Sequence, residues 1–191
     1  SVGSSITIAD ADGFVVNDGG TMKTIPATDI TTYVGGGITT ADQWRLHTGF
    51  AGDSSPIDSN LERVDTSAGG QSMLGSAMTE SSGIFTFPST GYWLVKFFCQ
   101  WYGGEDRYLV TQINGTIDDS AYSVIAQTQN FILAVSGNSS SSNACESIID
   151  VTDVDNVKVK FSAYSNLQSG NVSGSSVTNV TYMTFIRLGD T

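Results

Sequence analysis

The chain has 191 residues, of which 39% are hydrophobic and only 14% are charged, and its formal net charge is −11. This length suits one core of ordinary size with a short appendage, because single domains usually hold about 100–200 residues. The 8 basic residues are outnumbered by 19 acidic ones and form no cluster in the sequence. We therefore expect neither nucleic acid nor an anionic membrane surface as a partner. No apolar run approaches the roughly 20 residues that span a bilayer.

The first 38 residues differ in texture from the rest, because short apolar segments alternate there with Asp-Gly turns. The predicted β segments are residues 6–9, 14–17 and 22–26. They hold too few apolar side chains to fold alone. We therefore expect an attachment or shaft segment at 1–38, a glycine hinge at 35–37 and one domain at 39–191. The N-terminus lacks the features of a signal peptide, and the chain is either a processed product, a part of a longer protein or a chain without its initiator methionine.

Alternation with a period of two dominates the main domain and predicts an all-β protein. The clearest strand is predicted at residues 92–102. Its odd positions form a pure core face: Trp93, Val95, Phe97, Cys99 and Trp101. Its even positions are too aromatic for an ordinary wetted surface, so we expect them to meet a second layer or another copy of the chain. They include Tyr92, Leu94, Phe98 and Tyr102.

Further strands are predicted toward the C-terminus. Phe131 begins an apolar run that leads into a serine-rich surface loop at 136–143. Residues 145–151 and 156–164 alternate on either side of a polar turn, which predicts a hairpin. Residues 180–188 are apolar on both faces, which predicts a central strand.

Residues that could carry chemistry are few. His47 is the only histidine and has no acidic or nucleophilic neighbour at a telling spacing, so we expect a surface or structural role for it and no enzyme activity. Cys99 and Cys145 lack the spacing of metal ligands and form either two free thiols or one disulfide.

The paired carboxylates and the aromatic rings each allow two interpretations, one structural and one involving a bound ligand. The carboxylate pairs are Asp10 with Asp12, Asp118 with Asp119, and Asp153 with Asp155. Turn chemistry explains them, and calcium bound in one such loop is the alternative. The rings of Trp44, Tyr102 and Tyr108 belong either to core or subunit contacts or to a glycan platform.

Residues 83–95, with the sequence GIFTFPSTGYWLV, resemble the signature of the globular heads of complement component one, subcomponent q. The later pieces SIIDV (147–151), VKV (157–159) and TFI (184–186) follow in the same order. This resemblance implies a jelly-roll β-sandwich of the tumour-necrosis-factor-like class, which assembles as a homotrimer through the faces of its inner sheets. The implied interface residues, which fit the doubly apolar strands, are Tyr92, Leu94, Phe98, Tyr102 and Tyr182.

Other segments resemble C-terminal domains of virion proteins from marine tailed bacteriophages. They are DQWRL (42–46), ERV (62–64), MTESSGIF (78–85) and YMTFIRLGD (182–190). The segment FVVNDGGTMK (14–23) is similar to the shaft-joining stretches of such fibres. This resemblance implies a virion protein on the particle surface, held to other virion proteins by its N-terminal segment.

The leading hypothesis is a trimeric fibre tip or surface knob that attaches to a host glycan or protein by multivalent binding through its polar loops. A capsid decoration protein is the alternative within a virion. A secreted complement-like recognition module and a carbohydrate-active enzyme on a β-sandwich are the alternatives from other classes.

Overall fold

The computed structural model describes residues 8–9, 11–34, 37–66, 69–103, 107–131, 139–167 and 169–191. The chain divides into two compact units, residues 1–37 and 38–191. Gly35 and Gly36 of the expected hinge, Asp10 and residues 136–138 of the expected loop lie outside the described residues.

The N-terminal unit contains an antiparallel hairpin of β1 (Gly13–Asp18) and β2 (Thr21–Pro26), followed by α1 (Ala27–Val34). The connecting Gly19 and Gly20 have φ values of 60° and 91°, as two-residue hairpin turns require. The sequence did not predict the eight-residue helix α1, which is too short to show a sustained apolar stripe. In the described part of the chain no helix has the length and apolarity needed to cross a membrane.

The second unit is built entirely from β-strands in the residues that the structure describes. In chain order they are β3 (Ala41–Leu46), β4 (Phe50–Ala51), β5 (Leu61–Arg63), β6 (Thr79–Ser81), β7 (Ile84–Thr86), β8 (Gly91–Tyr102), β9 (Tyr108–Thr116), β10 (Ser123–Phe131), β11 (Ser140–Val151), β12 (Lys158–Ser165), β13 (Asn171–Val172) and β14 (Tyr182–Gly189).

These strands form two antiparallel sheets. The five-stranded sheet has the order β10-β9-β12-β7-β6. The seven-stranded sheet has the order β4-β13-β8-β14-β3-β5, with β11 on the other side of β8. Strand β14 pairs with both β3 and β8, which confirms its predicted central position.

The core fills the space between the two sheets and is rich in aromatic rings. Phe161 of β12 lies 5.3 Å from Phe85, 5.2 Å from Phe97 and 5.9 Å from Phe185, measured between ring centroids. The odd positions of β8 that the sequence assigned to the core are at most 1% exposed. The predicted all-β sandwich is therefore confirmed.

Two local predictions are wrong. Strand β11 pairs with β8, whereas β12 pairs with β7 and β9, so the turn between β11 and β12 crosses from one sheet to the other and closes no hairpin. Ser140 to Asn143 are not a loop, because they continue β11 along β8. Asn143 is buried there, and its Nδ2 donates to Leu109 O at 3.0 Å, which satisfies an amide that composition alone would place on the surface.

Candidate functional surfaces

The predicted interface residues lie together on the side of the seven-stranded sheet that points away from the core. We call this surface, formed by Tyr92, Leu94, Phe98, Tyr102 and Tyr182, the outer β8 face. Phe98 and Tyr182 are partners in neighbouring strands, and their rings stack at 5.4 Å with 23° between the planes. Tyr92 is 43% exposed and Tyr102 is 49% exposed. The structure therefore brings all five side chains onto one open face.

This face continues into a groove of about 740 Å³ that β10 and β11 border. Phe98, Tyr182 and Ile125 line it, together with the ion pair of Lys96 and Glu146, whose Nζ and Oε2 are 2.9 Å apart. The groove thus combines an apolar wall with one exposed charge pair.

A second apolar patch lies where β10 and β11, the edge strands of the two sheets, approach each other. Ile125 lies within a register shift in β10 and is 42% exposed, and Val124 beside it is 49% exposed. Ile148 of β11 is 64% exposed. We call these three residues the edge patch. Such a cluster of exposed apolar side chains marks a contact surface.

The segment DQWRL, which carries the phage-like resemblance, has a structural role. The side chain of Asp42 is 1% exposed and pairs with Arg63, with 3.2 Å between Oδ2 and Nε. Trp44 is no open platform, because it packs against the core, its ring meets Phe85 edge-on at 5.5 Å, and the guanidinium of Arg63 lies 4.8 Å from its centroid.

Arg45 is buried among acceptors from strand β5 and from two loops. Its Nε donates to Glu62 Oε1 at 2.6 Å, and its Nη1 and Nη2 donate to Thr66 Oγ1 and Asp65 Oδ1 at 2.7 and 3.0 Å. Ser176 O also accepts from Nη2. Arg45 therefore ties the chain after β5 to the loop before β14. No sequence pattern indicated this contact, since its partners lie far apart along the chain.

Among the predicted carboxylate pairs, Asp118 and Asp153 act as turn residues. Asp118 Oδ1 accepts from the backbone N–H groups of Ala121 and Ser120 at 2.9 and 3.0 Å and from Thr116 Oγ1 at 2.8 Å. These bonds, first the one from Ala121, hold the pKa of Asp118 well below its ordinary value. Bonds from Asp155 N and Asn156 likewise lower the pKa of Asp153. No group of three or more histidine, cysteine, aspartate or glutamate side chains in the described ranges could hold a metal ion.

The remaining reactive residues do not form a catalytic arrangement in the described part of the chain. His47 Nδ1 lies 2.8 Å from Thr48 Oγ1. A threonine hydroxyl does not orient or charge an imidazole as the carboxylate of a catalytic triad does. Cys99 and Cys145 are free thiols. Burial raises the pKa of both thiols, to about 11 for Cys145, so neither is an activated nucleophile.

Comparison with known proteins defines the class of fold. The structure is similar to that of Eiger TNF from S. frugiperda, with a TM-score of 0.54 and 13% identity over 81% of this chain and 95% of that one. It is also similar to murine APRIL, with a TM-score of 0.52 and 10% identity over 78% of this chain and 98% of that one. The chain therefore has a tumour-necrosis-factor-like jelly-roll fold, preceded by a short β-hairpin.

The likeness is one of fold. No family model matches the sequence, and no curated protein matches it either. At these identities the fold alone assigns no ligand or partner, so the predicted interface and the predicted place in a virion stay predictions.

Proposed function

We propose that the chain is a non-catalytic attachment module that works as a homotrimer on the surface of a virion. The observation that carries the proposal is the outer β8 face, a mostly apolar surface on which Lys96 and Gln100 also lie and on which Tyr92 and Tyr102 are 43% and 49% exposed. Exposed aromatic rings in the middle of a sheet are typical of interface cores. The occupant that we propose for this face is a second copy of the chain.

The arrangement of apolar surfaces favours a ring over a two-fold dimer. A two-fold dimer joins the same patch on both subunits, whereas a cyclic assembly joins two different patches. The chain carries two such patches, the outer β8 face and the edge patch, and both border the groove beside Phe98, through Phe98 and Ile125 respectively. In the ring, the edge patch of one subunit fills the face and groove of the next.

The surface available is sufficient for this assembly. A stable interface buries about 800 Å² on each partner, and each subunit of a ring has two interfaces. The ring therefore needs about 1,600 Å² of the 10703 Å² that the chain exposes. The sequence resemblance stated above implies a three-fold trimer. The tumour-necrosis-factor-like fold agrees with that resemblance and supports three subunits.

Multi-angle light scattering tests the assembly. We expect a particle of about 60 kDa, three times the 20.1 kDa of the chain, at micromolar concentration. Phe98→Glu and Tyr92→Glu each place an unpaired charge in the interface and should yield monomers. Val177→Glu is the matched control, because Val177 is 68% exposed and lies outside both patches, and it should stay trimeric. A monomeric wild-type protein overturns the proposal.

Attachment on a virion is supported by the segments that resemble phage virion proteins and by the multivalency that a trimer provides. Three weak sites held together exceed the affinity of one by about 10²–10⁴. The N-terminal hairpin unit is the proposed joint to other virion proteins.

Electron microscopy of the parent particle with antibodies against residues 38–191 tests this placement. Labels at fibre tips support an attachment tip, and purified trimer should then block adsorption of the particle to its host. Labels over the capsid together with unimpaired adsorption support a decoration protein and refute attachment. A chain absent from any particle refutes the virion proposal and leaves a cellular recognition module.

A further inference from the structure

The outer face of the five-stranded sheet carries a row of aromatic and amide side chains. Leu109 and Ile113 of β9 point into the core, so the alternate positions Tyr108 and Gln112 point outward. Phe131 pairs with Tyr108 and Gln127 pairs with Gln112 across β10 and β9.

Tyr164 joins these residues from β12, on the other side of β9. We call Tyr108, Gln112, Gln127, Phe131 and Tyr164 the aromatic-amide platform.

Contacts within the platform hold its side chains in place. Gln112 Nε2 donates to Gln127 Oε1 at 2.5 Å and to Tyr164 OH at 3.2 Å. The rings of Phe131 and Tyr108 are 5.3 Å apart with 52° between their planes. Because Gln112 uses its Nε2 for both hydrogen bonds, its Oε1 and the Nε2 of Gln127 are directed to groups outside this network.

Two of the five platform residues, Gln127 and Phe131, are exposed, whereas Tyr108, Gln112 and Tyr164 are half-buried. Phe131 is 69% exposed on an edge strand, where a large apolar ring adds little to the core. Gln127 is exposed, and Gln129 is exposed in the same strand. Aromatic faces beside oriented amides are the groups that a sugar ring needs, since its C–H face packs on the ring and its hydroxyls exchange hydrogen bonds with the amides.

Charge restricts the class of sugar. The platform residues carry no ionised side chain at neutral pH. Lys160, two positions before Ser162 on the same outward side of β12, has its Nζ over the ring of Tyr122 at 4.2 Å. The chain as a whole carries a net charge of −11, which repels uronates and sialylated chains. A neutral glycan is the fitting ligand.

We propose that the aromatic-amide platform binds a neutral oligosaccharide, with Phe131 and Tyr108 stacking on sugar rings and Gln112 and Gln127 bonding their hydroxyls. The proposal names the ligand class of the attachment function and therefore rests on it. It places recognition on the five-stranded sheet instead of the polar loops that the sequence indicated. The outer β8 face belongs to the other sheet, so assembly through it leaves Phe131 and Tyr108 open, whereas Gln127 also lines the groove beside Phe98 and lies at the rim of the proposed interface.

The test is binding of the full chain to immobilised hexaoses of glucose, mannose, galactose and N-acetylglucosamine, with oligogalacturonate and sialyllactose as acidic probes. We expect binding to at least one neutral hexaose and none to the acidic probes. Phe131→Ala and Tyr108→Ala should each weaken it about tenfold or more, because each removes a stacking surface. Tyr164→Phe keeps the ring and removes the hydroxyl that Gln112 bonds, and should weaken binding by a smaller factor.

Val177→Ala is the matched control, since Val177 is 68% exposed and lies outside the platform and both assembly patches, and it should bind the hexaose as the wild type does. Absence of binding to every neutral hexaose overturns the proposal, and so does binding that both platform variants retain in full. Light scattering on the same samples separates the two claims. A trimer without glycan binding refutes the platform alone, and a monomer that binds the hexaose through Phe131 refutes the trimer alone.

Discussion

Replacing Asp42 by alanine removes an acceptor on which three donors converge inside the seven-stranded sheet. Asp42 Oδ2 accepts from Met78 N at 3.0 Å and from Trp44 Nε1 at 3.1 Å. Both carboxylate oxygens also lie 3.2 Å from Arg63 Nε. Alanine supplies no acceptor, so each donor must find another partner or remain without one.

The three losses differ in size because the donors differ in access to water. Met78 is completely buried, and a buried N–H without an acceptor costs about 1–3 kcal/mol. Trp44 is only partly buried, so its indole N–H loses about 1 kcal/mol. The side chain of Arg63 is 36% exposed and keeps its bond to Met78 O at 2.6 Å, so loss of the ion pair adds about 0–1 kcal/mol. We expect Asp42→Ala to lower the free energy of unfolding by about 3 kcal/mol in total.

Urea unfolding followed by tryptophan fluorescence measures this change, at one protein concentration because assembly contributes to stability. In thermal unfolding, about 3 kcal/mol corresponds to a midpoint lower by about 6–12 °C for a chain of this size. Asp42→Asn is the control. Its remaining oxygen can serve both Met78 N and Trp44 Nε1, so we expect a loss of only about 1 kcal/mol. A loss below about 0.5 kcal/mol for the alanine variant would refute the assigned role of Asp42.

Two further predictions concern titratable groups. Only thiolates react, and burial raises the pKa of Cys145 to about 11, so about one Cys145 thiol in a thousand is ionised at pH 8. Thiol reagents should therefore label Cys145 slowly in the folded protein and Cys99 more slowly still. Both thiols should be labelled rapidly in urea. Fast labelling under native conditions contradicts this burial. The lowered pKa of Asp118 adds stability that is fully present above its ordinary pKa of 3.8 and is lost as the pH falls through the lowered pKa. The stability difference between wild type and Asp118→Asn should therefore shrink between pH 6 and pH 2, and a difference independent of pH contradicts the turn contacts.

The inward and outward faces of single strands could be predicted from the sequence, because the alternation of apolar and polar residues encodes them. The alternation in residues 92–102 separates two faces because side chains of a strand point to opposite sides at each step, and β8 has that division. The same logic places β14 in the centre of its sheet. Strand partners are different, because alternation fixes which side faces inward and leaves the neighbour open. That is why β11 and β12 suggested a hairpin although each pairs within a different sheet.

Composition misled where a tertiary contact satisfies a polar group. The serine-rich stretch before Cys145 has the composition of a loop, yet the bond from Asn143 to Leu109 O allows it to continue β11. The aromatic-amide platform was missed for a related reason. Tyr108 was considered alone, because its neighbours Phe131 and Tyr164 come from strands that lie 23 and 56 positions further along the chain. A search for pairs of aromatic and glutamine residues at matching strand positions is the signal that could have found it.

The two outer faces of the sandwich differ in a way that separates assembly from recognition. On the outer β8 face, Phe98 and Tyr182 stack against each other, and the apolar surface that they share favours a dry contact. On the platform, Gln112 is hydrogen-bonded to Gln127 and to Tyr164, and the unused donors and acceptors of the two glutamines must meet water or hydroxyl groups. A protein interface that dried this surface would have to match each of them, whereas a hydroxyl-rich ligand exchanges one hydrogen bond for another. The chemistry of each face therefore points to a different occupant, a protein copy on one side and a hydrated sugar on the other.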